Sequence, residues 1–245
     1  MGNKYKQDSD LEFLQFCDNE DLSILVDFLT KDKKGNDRIT SDLLSDDRFN
    51  NCKGNYKRAW DLIATELQYY GGDTILNIIR RHGISYREIL TDVCKKLKVN
   101  FNKKSSVEKI EANLFLKIIE DSLEKMTDEQ KREFAKGMKL NLKHASSVAI
   151  MAALQSAIIA GEFTSYKIAL YVANSVAKAI LSRGLSFGVN AGLARGLAIF
   201  AGPVGWVITS ILTIPMFSGT AYRVTIPSVI QIAYMRQKYL NKEAL

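Results

Sequence analysis

Histidine is nearly missing from this sequence. There are two, His82 and His144, and neither a His-x-x-x-His nor a Cys-x-x-Cys spacing occurs. A transition-metal site would have to be built almost wholly from carboxylates, so no metal ligand is assigned. Cysteine is scarce too. Cys17, Cys52 and Cys94 are odd in number and widely spaced, which excludes a disulfide framework and paired metal ligands and predicts buried, reduced thiols. Also lacking are a Gly-x-x-x-x-Gly-Lys-Ser/Thr phosphate loop, a Gly-x-Ser-x-Gly elbow, a Rossmann glycine fingerprint and a His-Glu-x-x-His helix. The reading is therefore non-enzymatic, with no catalytic and no cofactor-binding residue.

The first ten residues, MGNKYKQDSD, are polar, which predicts no cleaved secretory signal and places the protein in the cytoplasm, peripheral to or inserted at its membrane. Lys6 stands where a myristoylation motif wants Ser or Thr, so Gly2 is not read as an acylation site. Acids are also lacking, but only in one half. Of the 27 Asp and Glu, a single one, Glu162, falls between Phe134 and Lys242, against 11 Lys and Arg there. The net charge of +7 thus sits in the C-terminal part. Its cations are sparse and separated by aliphatic runs rather than interleaved with aromatics, which argues against a specific nucleic-acid partner.

What is present is helical patterning. Ser9 with Glu12, Ser85 with Glu88, Ser105 with Glu108 and Thr127 with Gln130 have capping-box spacing, in which a hydroxyl takes an orphan amide and the acid or amide three residues on reaches back. Leu22, Leu25, Val26 and Leu29 share a helical face, as do Tyr56, Trp60, Ile63 and Leu67. Leu114, Ile118 and Leu123 mark a longer helix near 106–125. Acids at Asp8, Asp10 and Glu12 and at Asp18, Glu20 and Asp21 are read as complements to helix dipoles. The RRH at 80–82 reads as the basic end of a helix, with Gly83 as its terminator. The fold class is all-α, a multi-helix bundle with a Gly-rich apolar C-terminal block. Residues 1–143 form a soluble amphipathic part and 144–245 the apolar cationic part, with helix running through the junction near 137–147.

Within the second part, residues 145–161 and 196–222 hold no charge, and the latter run is long enough to cross a bilayer, which takes about 20 apolar residues. Gly202, Pro203 and Gly205, followed by Trp206, interrupt it, so a helical hairpin fits as well as one span. Residues 219–227 favour extended structure, with Pro227 opening the last helix at its first turn. Gly184, Gly188, Gly192 and Gly196 recur every four residues and would form a bare helical ridge. Four helical glycines forfeit roughly 3–4 kcal/mol relative to alanine, and close approach of another helix is the natural offset. Arg183, Arg195 and Arg223 sit at the edges of the apolar stretches, where a membrane interface would tolerate them.

The segments DSDLEFLQFC (8–17), ELQYYGGDTI (66–75), RRHGISYREILTDVCKKLK (80–98) and SGTAYRVTIPSVIQIA (218–233) resemble the bacterial YaaW-like family over most of the chain. That family is grouped with the ubiquinol–cytochrome c chaperones, helical proteins that help a membrane subunit assemble. The resemblance implies an α-helical fold and an apolar client, and supplies no catalytic residue. The leading expectation is an apolar C-terminal block that engages anionic membrane lipid, inserting as a hairpin under control of the N-terminal part. The alternative is an assembly chaperone or adaptor that holds an apolar helix of a membrane-protein client. Either leaves room for a homo-oligomer.

Overall fold

The computed structural model describes residues 5–32, 34–38, 41–71, 83–159, 164–181, 203–207, 209–210 and 222–242. Among them the regular elements are helical, and extended backbone pairs only at an isolated bridge between Lys31 and Asp37. The helices are α1 (Asn19–Thr30), α2 (Asp47–Asn51), α3 (Trp60–Gly71), α4 (Tyr86–Lys96), α5 (Val107–Leu123), α6 (Asp128–Gly137), α7 (Ser147–Ile159), α8 (Thr164–Leu181) and α9 (Tyr222–Leu240). Short 3-10 turns cover Glu12–Phe16, Leu43–Ser45 and Tyr56–Ala59, and residues 203–207 are helical.

Two of the four expected capping boxes close. Ser85 opens α4 and Thr127 opens α6, each accepting from the backbone amide three residues on while that residue's side chain returns the bond. At α5 the cap is Ser106, one residue later than expected, because its hydroxyl accepts from the Lys109 amide. Ser9 caps nothing. The turn Glu12–Phe16 follows Leu11, which makes no side-chain cap bond, and Asp8 accepts the Asp10 amide instead. Nor does helix run through the junction near 137–147. α6 stops at Gly137, Lys139 takes a positive φ of 57°, and α7 starts only at Ser147, after Ser146 accepts the Ala149 amide. The three cysteines are buried thiols.

The last helix is the centre of the packing. Every residue from Val224 to Arg236 is buried, and α9 lies against α8, α1, α4, α3, α5 and the turn at 12–16. A helix covered on every side over this stretch lies inside the protein, and burial here overrides the β-propensity that favours extended chain at 222–227. Pro227 sits inside this helix rather than opening it. Its missing N–H costs one ladder bond, to the carbonyl of Arg223. Val224, Ile226, Val229, Ile230 and Ile232 are fully inaccessible, which is worth on the order of 10 kcal/mol of gross transfer free energy before chain entropy is charged against it. α9 thus packs both on α8, within the C-terminal compositional part, and across the division at 143/144 on α1, α3, α4 and α5.

The helix end read at residues 80–82 lies outside the described residues, and Gly83 itself makes a close approach. A Cβ placed on it would lie 2.6 Å from Gln68 Cβ and 3.0 Å from the Gln68 carbonyl carbon, so only glycine lets this backbone reach α3. There Ile84 N–H donates to the Gln68 carbonyl at 3.2 Å. The Gln68 side chain meanwhile exchanges two hydrogen bonds with the Lys6 backbone, at 2.8 and 3.0 Å. Gly83→Ala is accordingly expected to destabilise the protein by about 1–3 kcal/mol through overpacking. Thermal unfolding measures it, and an unchanged melting temperature would deny the close approach.

Candidate functional site

The most concentrated chemistry lies beneath α9. Arg236 Nε meets both carboxylate oxygens of Glu111 on α5, at 3.1 and 3.0 Å, and its NH2 group donates to the Asp10 carbonyl at 2.7 Å. Tyr86 O–H donates to Glu111 Oε1 at 2.6 Å, and the guanidinium lies 4.4 Å from the Phe13 ring centroid. Asp8 closes the group by accepting the Tyr86 amide at 2.6 Å, at the first residue of α4. Glu111 and Tyr86 are fully buried. Burial pushes the Glu111 carboxyl up to about 7 against the pull of Arg236, and burial pushes the Tyr86 phenol well above its ordinary value. No substrate reaches a group sealed in this way. The arrangement fixes four segments of chain against one another.

A second ionic contact lies on the same helix. Lys238 Nζ bridges Asp18 at 2.8 Å and Asp21 at 2.7 Å. Burial works against the ammonium, but the two aspartates outweigh it and hold its pKa above the usual lysine value. The hydrogen bond from Lys238 lowers Asp18, whereas burial leaves Asp21 raised. Gln231 Nε2 donates to the Asp21 carbonyl at 3.0 Å, so α9 is tied to the start of α1 in two places. Thus Asp21, in the first turn of α1 where it complements the helix dipole, and Asp8 are structural anchors as well. Among the described residues no group of His, Cys, Asp and Glu could hold a metal ion.

The open surface has the opposite character. α7 carries no charged residue, and only Ile150 and Leu154 on it are buried, where it rests on α5 and α8. Val148 is 80% and Ile159 86% exposed, and Ala152 and Ser156 between them are exposed as well. Steps of four, four and three residues put these on one helical face. A helix this apolar is normally covered all round, and α7 is covered on one side only.

The site residues marked in the sequence fare unequally. Gly184, Gly188, Gly192, Gly196, Gly202, Arg183 and Arg195 lie outside the described residues. Pro203 and Gly205 are buried and Trp206 is 60% exposed. A Cβ on Gly205 would meet the Ala179 Cβ of α8 at 3.8 Å, an ordinary contact that does not require glycine. Arg223 lines a recess of about 260 Å³ with Phe28, Lys31, Arg38, Ile180 and Thr209. The sequence reading missed Arg236, Glu111 and the open face of α7. Glu111 carried a signal, since it falls within the apolar stripe Val107, Ile110, Leu114 and Ile118, and Arg236 is its counterpart in an apolar helix.

Fold and surface together define an all-helical module with a sealed ionic centre and an uncharged helix left open. Residues 55–230 match the model of the ubiquinol-cytochrome C chaperone family, and residues 5–39 match a domain of unknown function, DUF3944. A UPF0174 protein of Helicobacter pylori strain J99 is 43% identical over 235 residues, covering 96% of this chain and 93% of the relative. UPF0174 protein YaaW of Escherichia coli K12 is 34% identical over 240 residues, covering 97% of each. The chain belongs to this UPF0174 family, within the ubiquinol-cytochrome C chaperone group. No solved structure matches.

Arg236→Met removes the partner of a fully buried carboxylate and is expected to cost about 3–5 kcal/mol. Adding Glu111→Gln to that variant removes the stranded charge and should restore part of the loss. Denaturant unfolding of these two variants, of Glu111→Gln alone and of the parent gives the coupling. Strictly additive losses would show that the pair does not interact.

Proposed function

We propose that the protein is a non-enzymatic helical chaperone or adaptor that holds an apolar helix of a client protein against the open face of α7. The observation that carries this reading is a helix without charge, with Val148 and Ile159 almost wholly in solvent at its two ends. Small residues at Ala152 and Ser156 between them let another helix approach closely, so dispersion contacts form along its length. The family name, ubiquinol-cytochrome C chaperone, supports a protein client. The hairpin reading has less behind it. No helix among the described residues is long and apolar enough to cross a membrane.

The test uses the full-length protein and a fluorescently labelled, uncharged Leu/Ala-rich helical peptide in dilute detergent. Ala152→Glu with Ser156→Glu places two charges on a face that is exposed at rest, so the fold should melt as before. In the complex those charges would be buried without partners, and binding is expected to fall by at least about tenfold. Unchanged peptide affinity would remove α7 as the holding surface. Loss of a dimer in the variant, with no peptide binding by the parent, would show instead that a second copy covers the face.

A further inference from the structure

The loop between α4 and α5 presents a second kind of surface. Residues 85–109 hold seven cations, Arg87, Lys95, Lys96, Lys98, Lys103, Lys104 and Lys109, against three acids, Glu88, Asp92 and Glu108. The acids are engaged. Glu88 accepts from Ser85 in the cap of α4, Asp92 binds Lys95 at 2.8 Å, and Glu108 faces Arg236 and Arg87, whose fields help depress its pKa against the burial that raises it. Arg87 and Lys96 are engaged too, the first on the carbonyl of Ser105 at 2.8 Å and the second over the Tyr222 ring. Lys98, Lys103, Lys104 and Lys109 remain, all exposed and none in an ion pair among the described residues.

The loop that carries them is held in shape. Leu97 and Val99 are buried and Phe101 packs on the core, so Lys98, Asn100 and Asn102 alternate outwards. Val99 N–H donates to the Cys94 carbonyl at 2.9 Å, and Asn102 accepts from the Lys104 amide at 2.9 Å. Lys98 takes a positive φ of 54°, which turns the chain at the end of α4. Free ammonium groups on a braced loop form a stable positive face.

We infer that residues 95–109 are a docking face for an anionic lipid surface. Charge complementarity selects the occupant. Lysine ammonium groups are point charges on flexible stems, suited to a diffuse layer of headgroup phosphates. A nucleic acid would call for free guanidinium groups or an exposed aromatic to stack on, but Arg87 is spent on the loop backbone and Phe101 on the core. The face would set the protein at the membrane surface where an apolar client helix is found, though the inference stands on the lysines and does not rest on the holding role of α7.

The test measures partition of the full-length protein into vesicles of phosphatidylcholine alone and of phosphatidylcholine mixed with phosphatidylglycerol, at low and high salt. Preference for the anionic vesicles, lost at high salt, is expected. Each neutralised lysine near the surface weakens partition by about fivefold, so Lys98→Gln, Lys103→Gln and Lys104→Gln together should weaken it by roughly a hundredfold. Lys125→Gln with Lys136→Gln, at exposed positions elsewhere, should leave it within about twofold. Equal partition of the triple variant and the parent overturns the inference, as does an equal loss in the control. Lysine-dependent binding of a single-stranded oligonucleotide without vesicle binding overturns it in favour of nucleic acid. Binding of the apolar helical peptide by the triple variant should match the parent, which separates this result from failure of the α7 reading.

Discussion

Arg236 and Glu111 stand 125 residues apart in the sequence and meet where water does not reach, and the course of α9 follows from that meeting. A guanidinium and a carboxylate pay heavily for leaving water, and their attraction repays the cost only when the remaining donors and acceptors are also met. Here they are. The Asp10 carbonyl accepts from the NH2 group of Arg236, the Tyr86 hydroxyl donates to Glu111 Oε1, and Phe13 covers the guanidinium face. Moving α5 or α9 would strand a charge, and moving α4 or the N-terminal turn would remove a hydrogen bond that the pair needs. The pair adds less to total stability than the apolar burial along α9, but it specifies one register of that helix among its neighbours.

With α9 fixed in the middle, α7 is pushed to the edge. It touches α5 and α8 through Ile150 and Leu154, Met151 and Ile158 pack partly on the core, and Val148, Ala152, Gln155, Ser156 and Ile159 face outwards. Proteins rarely leave such a surface without purpose, and the holding role proposed above accounts for both the lack of charge and the small residues along it. The ionic centre and the open helix thus divide the work between them. One is closed and specific, the other is apolar and permissive.

Much of this was legible in the sequence, in proportion to how local each signal is. The helices around Leu22–Leu29 and Leu114–Leu123 could be read because their apolar spacing repeats within a few residues. Ser85 and Thr127 could be read as caps because a capping box is complete within four residues. Where the reading failed, a distant partner decided. Residues 222–227 look extended on propensity and are helical because the core around α9 buries them. At Gly83 the local sequence could not show that Gln68 lies against it and requires glycine. Asp21 does lie in the first turn of α1, but its hold on Lys238, like that of Asp8 on the Tyr86 amide, depends on a distant partner. The open face of α7 was hidden for a related reason. Composition shows that the segment is apolar, but not which side its neighbours leave bare.

The claim that α7 is the holding surface is tested most directly by hydrogen–deuterium exchange with and without a bound apolar helix. Covering the face should slow exchange along 147–159, while α5 and α9, already sealed, stay unchanged. Protection that arises elsewhere, with 147–159 exchanging as fast as in the free protein, would contradict the account.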